Sequence, residues 1–186
     1  LNMVGGQDDQ VFDGGSFVLN PGGRLAVQLP VMEEAVAHVD FRRTAEGWAA
    51  EEGPPAHVPD ALEQDYHVCV LALRDYLSKS GFSKVLLGLS GGVDSALVAA
   101  IAADAVGAEN VRCVMLPSEY TSRTSLEDAA AVAEALGCRL DSVPISGPRA
   151  AVSEALGPLF AGLPEDIAEE NIQSRLRGLL LMALSN

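Results

Sequence analysis

Hydrophobic and polar positions change their period several times along the chain. VFDGGSFVLN (residues 11–20) and RLAVQLP (24–30) are β-prone runs on either side of Pro21-Gly22-Gly23, a strong turn signal, and predict a hairpin. AVAHVDF (35–41) alternates with period two, as a half-buried strand does. Residues 42–60, RRTAEGWAAEEGPPAHVPD, have no period and carry Pro54, Pro55 and Pro59, which predicts an interdomain linker. Asp60 then stands as an N-cap. Leu62, Tyr66, Cys69, Leu73, Tyr76 and Leu77 recur at three-to-four spacing until Gly81, predicting an amphipathic helix with those residues on its apolar face.

From Lys84 the pattern becomes strand, helix, strand, helix, strand. The segments are KVLLGL, a helix over 94–106, NVRCVML, a helix over 125–136, and CRLDSVP. Gly107 and Gly137 fall where C-terminal caps belong, Ser125 with Asp128 resembles a capping box, and Ser146-Gly-Pro148 starts another helix with Pro in its first turn. This alternation implies an α/β fold, a parallel sheet with helices on both faces. In EENIQSRLRGLLLMALSN (169–186), Ile172, Leu176, Leu179, Leu180 and Ala183 form the expected core-facing stripe.

Charge narrows the functional classes. With 12 Lys+Arg against 26 Asp+Glu the net charge is -14, so the chain lacks the cationic surface by which nucleic-acid binders and polybasic membrane contacts release counterions. The longest apolar runs fall short of the ~18 to 20 residues that span a bilayer. Cys69, Cys113 and Cys138 are odd in number and far apart, which argues against a disulfide framework or a CxxC metal site and fits a reducing cytoplasm. His38, His57 and His67 form no ligand pattern. Leu1 opens the chain without a charged leader and Asn186 closes it in mid-pattern, as expected of a piece of a longer protein.

The segment richest in chemistry is LGLSGGVDS (87–95), an apolar strand running through Ser-Gly-Gly-Val-Asp-Ser into an Ala-rich helix. Gly91 and Gly92 allow a sharp turn and close backbone approach, and a helix N-terminus offers unpaired N–H groups and the positive end of its dipole. An anion is the natural occupant. Ser90 and Ser95 supply hydroxyl donors, whereas the carboxylate of Asp94 would repel phosphate unless a hard cation such as magnesium lay between them. The loop has neither the Walker Gly-Lys-Ser/Thr ending nor GxGxxG spacing. A plain Asp-capped turn would stabilise the helix by ~1 kcal/mol and do no chemistry. Five specified positions at roughly 5 to 7% usage each recur by chance in about one chain of this length in several thousand, so a cap alone does not account for the loop.

Two further stretches carry candidate ligands. In MLPSEYTSRTSLEDA (115–129), at the carboxyl end of a strand, backbone around Met115 and Leu116 is placed to meet an adenine, with Ser118, Tyr120 and Ser122 as hydroxyl donors or as members of an ordinary polar loop. In the last helix Asn171 and Arg175 lie four apart, an amide beside a guanidinium that suits a carboxylate-bearing ligand.

SGGVDS resembles the pyrophosphate loop of the N-type ATP pyrophosphatases. Together SGGVDS, LPSEYTS and ENIQSRLRG resemble the NAD synthetases, and NMVGGQDDQVFDGGSFV is similar to the late strands of the nitrilase-type glutaminase that precedes the synthetase in their glutamine-dependent form. The resemblance implies a Rossmann-like fold of the adenine nucleotide alpha hydrolase type, preceded by C-terminal nitrilase strands: 1–41 remnant of the glutaminase, 42–60 linker, 61–186 an incomplete synthetase domain. It implies ligase activity, the ATP-dependent amidation of deamido-NAD to NAD through an adenylate, with ammonia from glutamine, in a cytoplasmic homo-oligomer. It implies ATP contacts from Gly88, Leu89, Ser90, Gly91, Gly92, Val93, Asp94, Ser95 and Leu116, magnesium on Asp94, and deamido-NAD contacts from Asn171 and Arg175. Residues 1–41 contain no cysteine, so the glutaminase nucleophile is not in this chain, and Cys69, on the predicted apolar stripe, reads as a buried structural thiol. The alternatives are another N-type pyrophosphatase, of the GMP synthetase or tRNA-modifying kind, and a module that binds ATP without turning it over.

Overall fold

The computed structural model describes residues 1–53, 55–161 and 167–186, so Pro54 of the predicted linker and residues 162–166 of the predicted synthetase domain lie outside it. The chain divides into two compact units, Leu1–Phe82 and Ser83–Asn186. The division falls after the predicted amphipathic helix, not before it.

The first unit is built from three antiparallel hairpins: β1 (Val4–Gln7) with β2 (Gln10–Asp13), β3 (Phe17–Asn20) with β4 (Arg24–Gln28), and β5 (Phe41–Thr44) with β6 (Gly47–Ala50). The hairpin expected around Pro21 forms, with Gly22 and Gly23 at φ +82° and +78° in its turn. Two expectations fail nearby. Residues 35–41 do not form a strand; pairing begins at Phe41, and Val36 is 96% exposed. A period-two pattern without a partner leaves backbone groups unpaired, and here the next hairpin takes the pairing. That hairpin lies inside the stretch read as linker. Its turn is closed by Thr44 Oγ1, which donates to the Gly47 carbonyl at 2.8 Å. Buried Asn20 fastens it from β3: the Asn20 amide donates to the Ala50 carbonyl at 3.0 Å and accepts from the Ala50 N–H at 2.7 Å. Ala26, Val27 and Ala50 form the small core beneath.

Helix α1 (Ala61–Ser80) starts and stops as its sequence predicts. Asp60 accepts from the Glu63 N–H at 3.0 Å, and Gly81 takes φ +77° at the other end. Its packed face differs from the predicted one: Val70, Leu71 and Leu77 are buried, whereas Leu62 and Tyr76 are 81% and 61% exposed and Cys69 is exposed. Polar anchors explain the rotation. Asp75 accepts from the Gly6 N–H at 2.7 Å, Lys79 donates to the Gly6 carbonyl, and Ala72 lies against the same glycine, so the face bearing residues 72, 75 and 79 meets β1.

The second unit is a parallel sheet in the order β7 (Val85–Gly88), β8 (Val111–Met115), β9 (Arg139–Ser142). The crossovers are α2 (Val93–Val106) and α3 (Arg123–Leu136), followed by α4 (Ser146–Phe160) and α5 (Ile167–Ser185). Alternation along β8 divides the core. Val111 and Cys113 face the side covered by α2 and α3, while Val114 joins Leu116, Ile145 and the α5 residues Leu180, Leu181 and Leu184. Helices thus cover both faces, as the alternation predicts.

Two details depart from the reading. The cap of α3 is Ser122, which accepts from the Ser125 N–H at 3.1 Å, so Ser125 sits in the first turn and does not cap. Ser122 has the extended backbone of a cap, and the loop before it leaves its hydroxyl free for that bond. The packed face of α5 is Leu176, Leu180, Leu181 and Leu184, whereas Leu179 is 64% exposed and Ala183 is exposed, because the contact turns toward Val114 and Leu86. Among the described residues no helix is long and apolar enough to cross a membrane.

Candidate nucleotide site

The site grows from the end of β7. The Leu89 N–H donates to the Val114 carbonyl at 2.9 Å, extending the parallel ladder one residue beyond Gly88 before the chain turns. Gly91 makes the turn at φ +83°, and a Cβ there would stand 2.1 Å from the Ser125 carbonyl oxygen. Only glycine meets both demands. Two serines brace the loop from inside. Their hydroxyls lie 3.0 Å apart, Ser95 Oγ accepts from the Ser90 N–H at 3.2 Å and donates to the Gly92 carbonyl at 2.9 Å, and Ser90 Oγ accepts from the Gly92 N–H at 3.3 Å.

Helix α2 then opens with Gly92 in the cap position, which has no side chain to satisfy the first-turn donors. The N–H groups of Val93, Asp94 and Ser95 are therefore left to solvent or to a ligand, at the positive end of the helix dipole. The plain Asp-capped turn does not form: Gly92 is the cap residue, and Asp94 lies exposed in the first turn. Its fit to magnesium can be judged from the donor set. Among the described residues no cluster of three or more His, Cys, Asp or Glu is placed to hold a metal. Magnesium commonly uses one or two carboxylates and completes its shell with phosphate oxygens and water, so a single carboxylate in the first turn of a helix without a side-chain cap is compatible with it.

A cavity of about 410 Å³ opens beside the loop. Gly88, Leu89 and Ser90 form one wall, Met115, Leu116 and Pro117 another, and Thr121 and Arg177 line it as well. The volume lies in the range of small-molecule sites. Gly88, Leu89, Ser90 and Leu116 line this cavity, and Gly91 to Ser95 continue from Ser90 into the loop and the helix start.

The second wall is held from several sides. Pro117 accepts from the Ile145 N–H at 2.9 Å and Leu116 from Arg177 Nε at 3.2 Å. Thr121 closes the loop through its Oγ1, which accepts from the Ser118 N–H at 3.0 Å. Of the hydroxyls singled out in the sequence, Ser122 is spent on the α3 cap, Ser118 Oγ accepts from the Tyr120 N–H at 3.4 Å, and Tyr120 is 69% exposed.

Asn171 and Arg175 do not line this cavity. Both are exposed, and Arg175 Nη1 donates to the Asn171 carbonyl at 3.3 Å. The cation in the cavity is Arg177, two residues on, together with Thr121; neither was singled out from the sequence. No sequence signal marked Arg177, because its place at the cavity follows from the packed face of α5, which periodicity does not give.

The cysteines take no part in the site. Cys113 is fully buried, which together with the neighbouring Cys138 pushes its thiol up to about 11, away from nucleophilic behaviour. Cys69 is exposed, contrary to the buried thiol expected from its place on the stripe.

Comparison with known proteins bears on the family. The NAD synthase family model matches residues 66–186. The glutamine-dependent NAD(+) synthetase of Rhodobacter capsulatus is 66% identical over all of this chain, which corresponds to 34% of that protein. Among solved structures, the glutamine-dependent NAD+ synthetase of Acinetobacter baumannii in complex with ADP superimposes with TM-score 0.93 at 45% identity, over 98% of this chain and 34% of its own. The NH3-dependent NAD synthetase of Campylobacter jejuni matches at TM-score 0.60 and 25% identity over 68% of this chain. The chain therefore spans about a third of the length of its glutamine-dependent relatives. With a family model matching residues 66–186, which include the parallel sheet and its helices, the chain belongs to the NAD synthase family.

Proposed function

We propose that this chain supplies the ATP-binding part of a glutamine-dependent NAD synthetase, a ligase that amidates deamido-NAD at the expense of ATP. The observation that carries the reading is the Ser90–Ser95 loop, with its bare first-turn donors and the lone Asp94 carboxylate beside a cavity of about 410 Å³. In this reading the loop amides and the hydroxyls of Ser90 and Ser95 hold the β and γ phosphates, and they stabilise the charge that develops as pyrophosphate departs. Adenine rests against the backbone of Met115 and Leu116. Asp94 holds magnesium, which when bound neutralises phosphate charge. The carboxylate of deamido-NAD attacks the α-phosphate and expels pyrophosphate, and ammonia then displaces AMP. No protein nucleophile is required.

Asn171 and Arg175 are read as deamido-NAD contacts, and the first unit as the end of the glutaminase that delivers ammonia. A cytoplasmic homo-oligomer is the setting for the whole enzyme. The test is release of pyrophosphate by this chain given ATP, deamido-NAD, ammonium and magnesium. Release coupled one-to-one to NAD supports the synthetase. ATP binding without pyrophosphate release under any of these combinations favours a module that binds ATP and depends on the rest of the enzyme for turnover.

A further inference from the structure

One cation outside the cavity grips the wall that forms it. Arg149, in the first turn of α4, is only 14% exposed along its side chain, forms an ion pair with Glu119, and places its guanidinium carbon 5.3 Å from the centre of the Tyr120 ring. Glu119 and Tyr120 are the tip of the loop whose two ends, Pro117 and Thr121, line the cavity. The backbone of the same helix start is tied to the same loop, since the Ile145 N–H donates to Pro117 and the Arg149 N–H donates to Ile145 at 2.9 Å. The loop is therefore clamped at its base by backbone and at its tip by Arg149.

We propose that Arg149 is a positioning residue for the nucleotide site: by pairing with Glu119 and stacking on Tyr120 it fixes the 116–121 wall against which the base of the nucleotide rests. The inference rests on the reading of the cavity as the ATP site. A planar guanidinium can pair with a carboxylate and cover an aromatic face at once, which an ammonium does less well. A half-shielded pair of this kind orders a loop more than it stabilises a fold, because the loop tip is itself exposed. The consequence is specific. Loss of Arg149 weakens nucleotide binding by freeing Pro117 and Thr121, and leaves the phosphate loop intact.

The test is calorimetric titration of the chain with magnesium-ATP, alongside thermal melts of each variant. Arg149→Ala raises Kd about tenfold, an order set by the sum of a half-shielded ion pair and a cation–π contact. Arg149→Lys gives an intermediate value, and Glu119→Gln added to Arg149→Ala costs nothing further, because both remove one interaction. Tyr120→Leu, at an exposed position that does not endanger folding, raises Kd severalfold. If Arg149→Ala and Tyr120→Leu bind as the parent chain does, or if the only change is a lower melting temperature, the positioning role is wrong while the nucleotide site stands. Failure of the parent chain to bind magnesium-ATP overturns the site and the inference with it.

Discussion

At the scale of single residues, the loop separates two glycines that look alike in sequence. Gly91 is at φ +83° with the Ser125 carbonyl 2.1 Å from where a Cβ would stand, whereas a Cβ on Gly92 would meet Ser90 Oγ at 3.4 Å, an ordinary contact. Gly91→Ala is expected to displace the start of α3 or the loop and to abolish ATP binding, and Gly92→Ala to leave the melting temperature within a few degrees of the parent. Differential scanning fluorimetry with and without magnesium-ATP separates the two. The thiols divide as clearly. Burial holds Cys113 up to about 11, so at pH 8 it carries almost no thiolate, while Cys69 is exposed. Iodoacetamide at that pH is expected to label Cys69 in the folded chain and to spare Cys113 until denaturant is added, read by peptide mass.

At the scale of elements, several helix ends were legible and helix rotations were not. Asp60, Gly81, Gly137 and Pro148 mark ends by local chemistry that needs no partner, and α1, α3 and α4 end or begin at them. Which side of α1 or α5 packs is decided by the neighbour: Asp75 and Lys79 on Gly6 turn α1, and Val114 and Leu86 draw Leu181 and Leu184 of α5 inward. No periodicity carries that information. Leu176→Ala is accordingly expected to cost about 2 to 4 kcal/mol by urea unfolding, and Leu179→Ala, at a position the sequence counted equally apolar, under about 1.

The β8–β9 pair carries a further test. Arg112 Nε donates to Asp141 Oδ2 at 2.6 Å and Arg139 joins from the same strand as the aspartate. The bond from Arg112, then that from Arg139, hold the Asp141 carboxyl below its ordinary 3.8. A carboxyl lowered in the folded state stabilises fully above its unfolded value and loses that contribution as pH falls through the lower folded value. Asp141→Asn is therefore expected to reduce the stability difference between pH 7 and pH 3 measured by denaturant titration. An unchanged acid limb would show that the arginines do not act on Asp141 in this way.

For the whole molecule, the strand–loop–helix at 85–106 was readable because every part of it is local: apolar strand, two glycines, a hydroxyl on either side, and a helix without a side-chain cap. Arg177 and Thr121 were not, since they reach the cavity only through the packing of α5 and the closure of the 116–121 loop. The hairpin at 41–50 was missed for a related reason. Its charged sequence lacks alternation, and buried Asn20 on another strand holds it.

The account stands on one claim, that the Ser90–Ser95 loop holds the phosphates of ATP with magnesium on Asp94. The most direct measurement is a calorimetric titration of this chain with ATP, with and without magnesium, in the parent and in Asp94→Ala. Saturable binding at one site, weakened tenfold or more both by removal of magnesium and by Asp94→Ala with the melting temperature of the unliganded chain preserved, is the predicted result. Binding indifferent to magnesium and to Asp94, or no saturable binding at all, would contradict it.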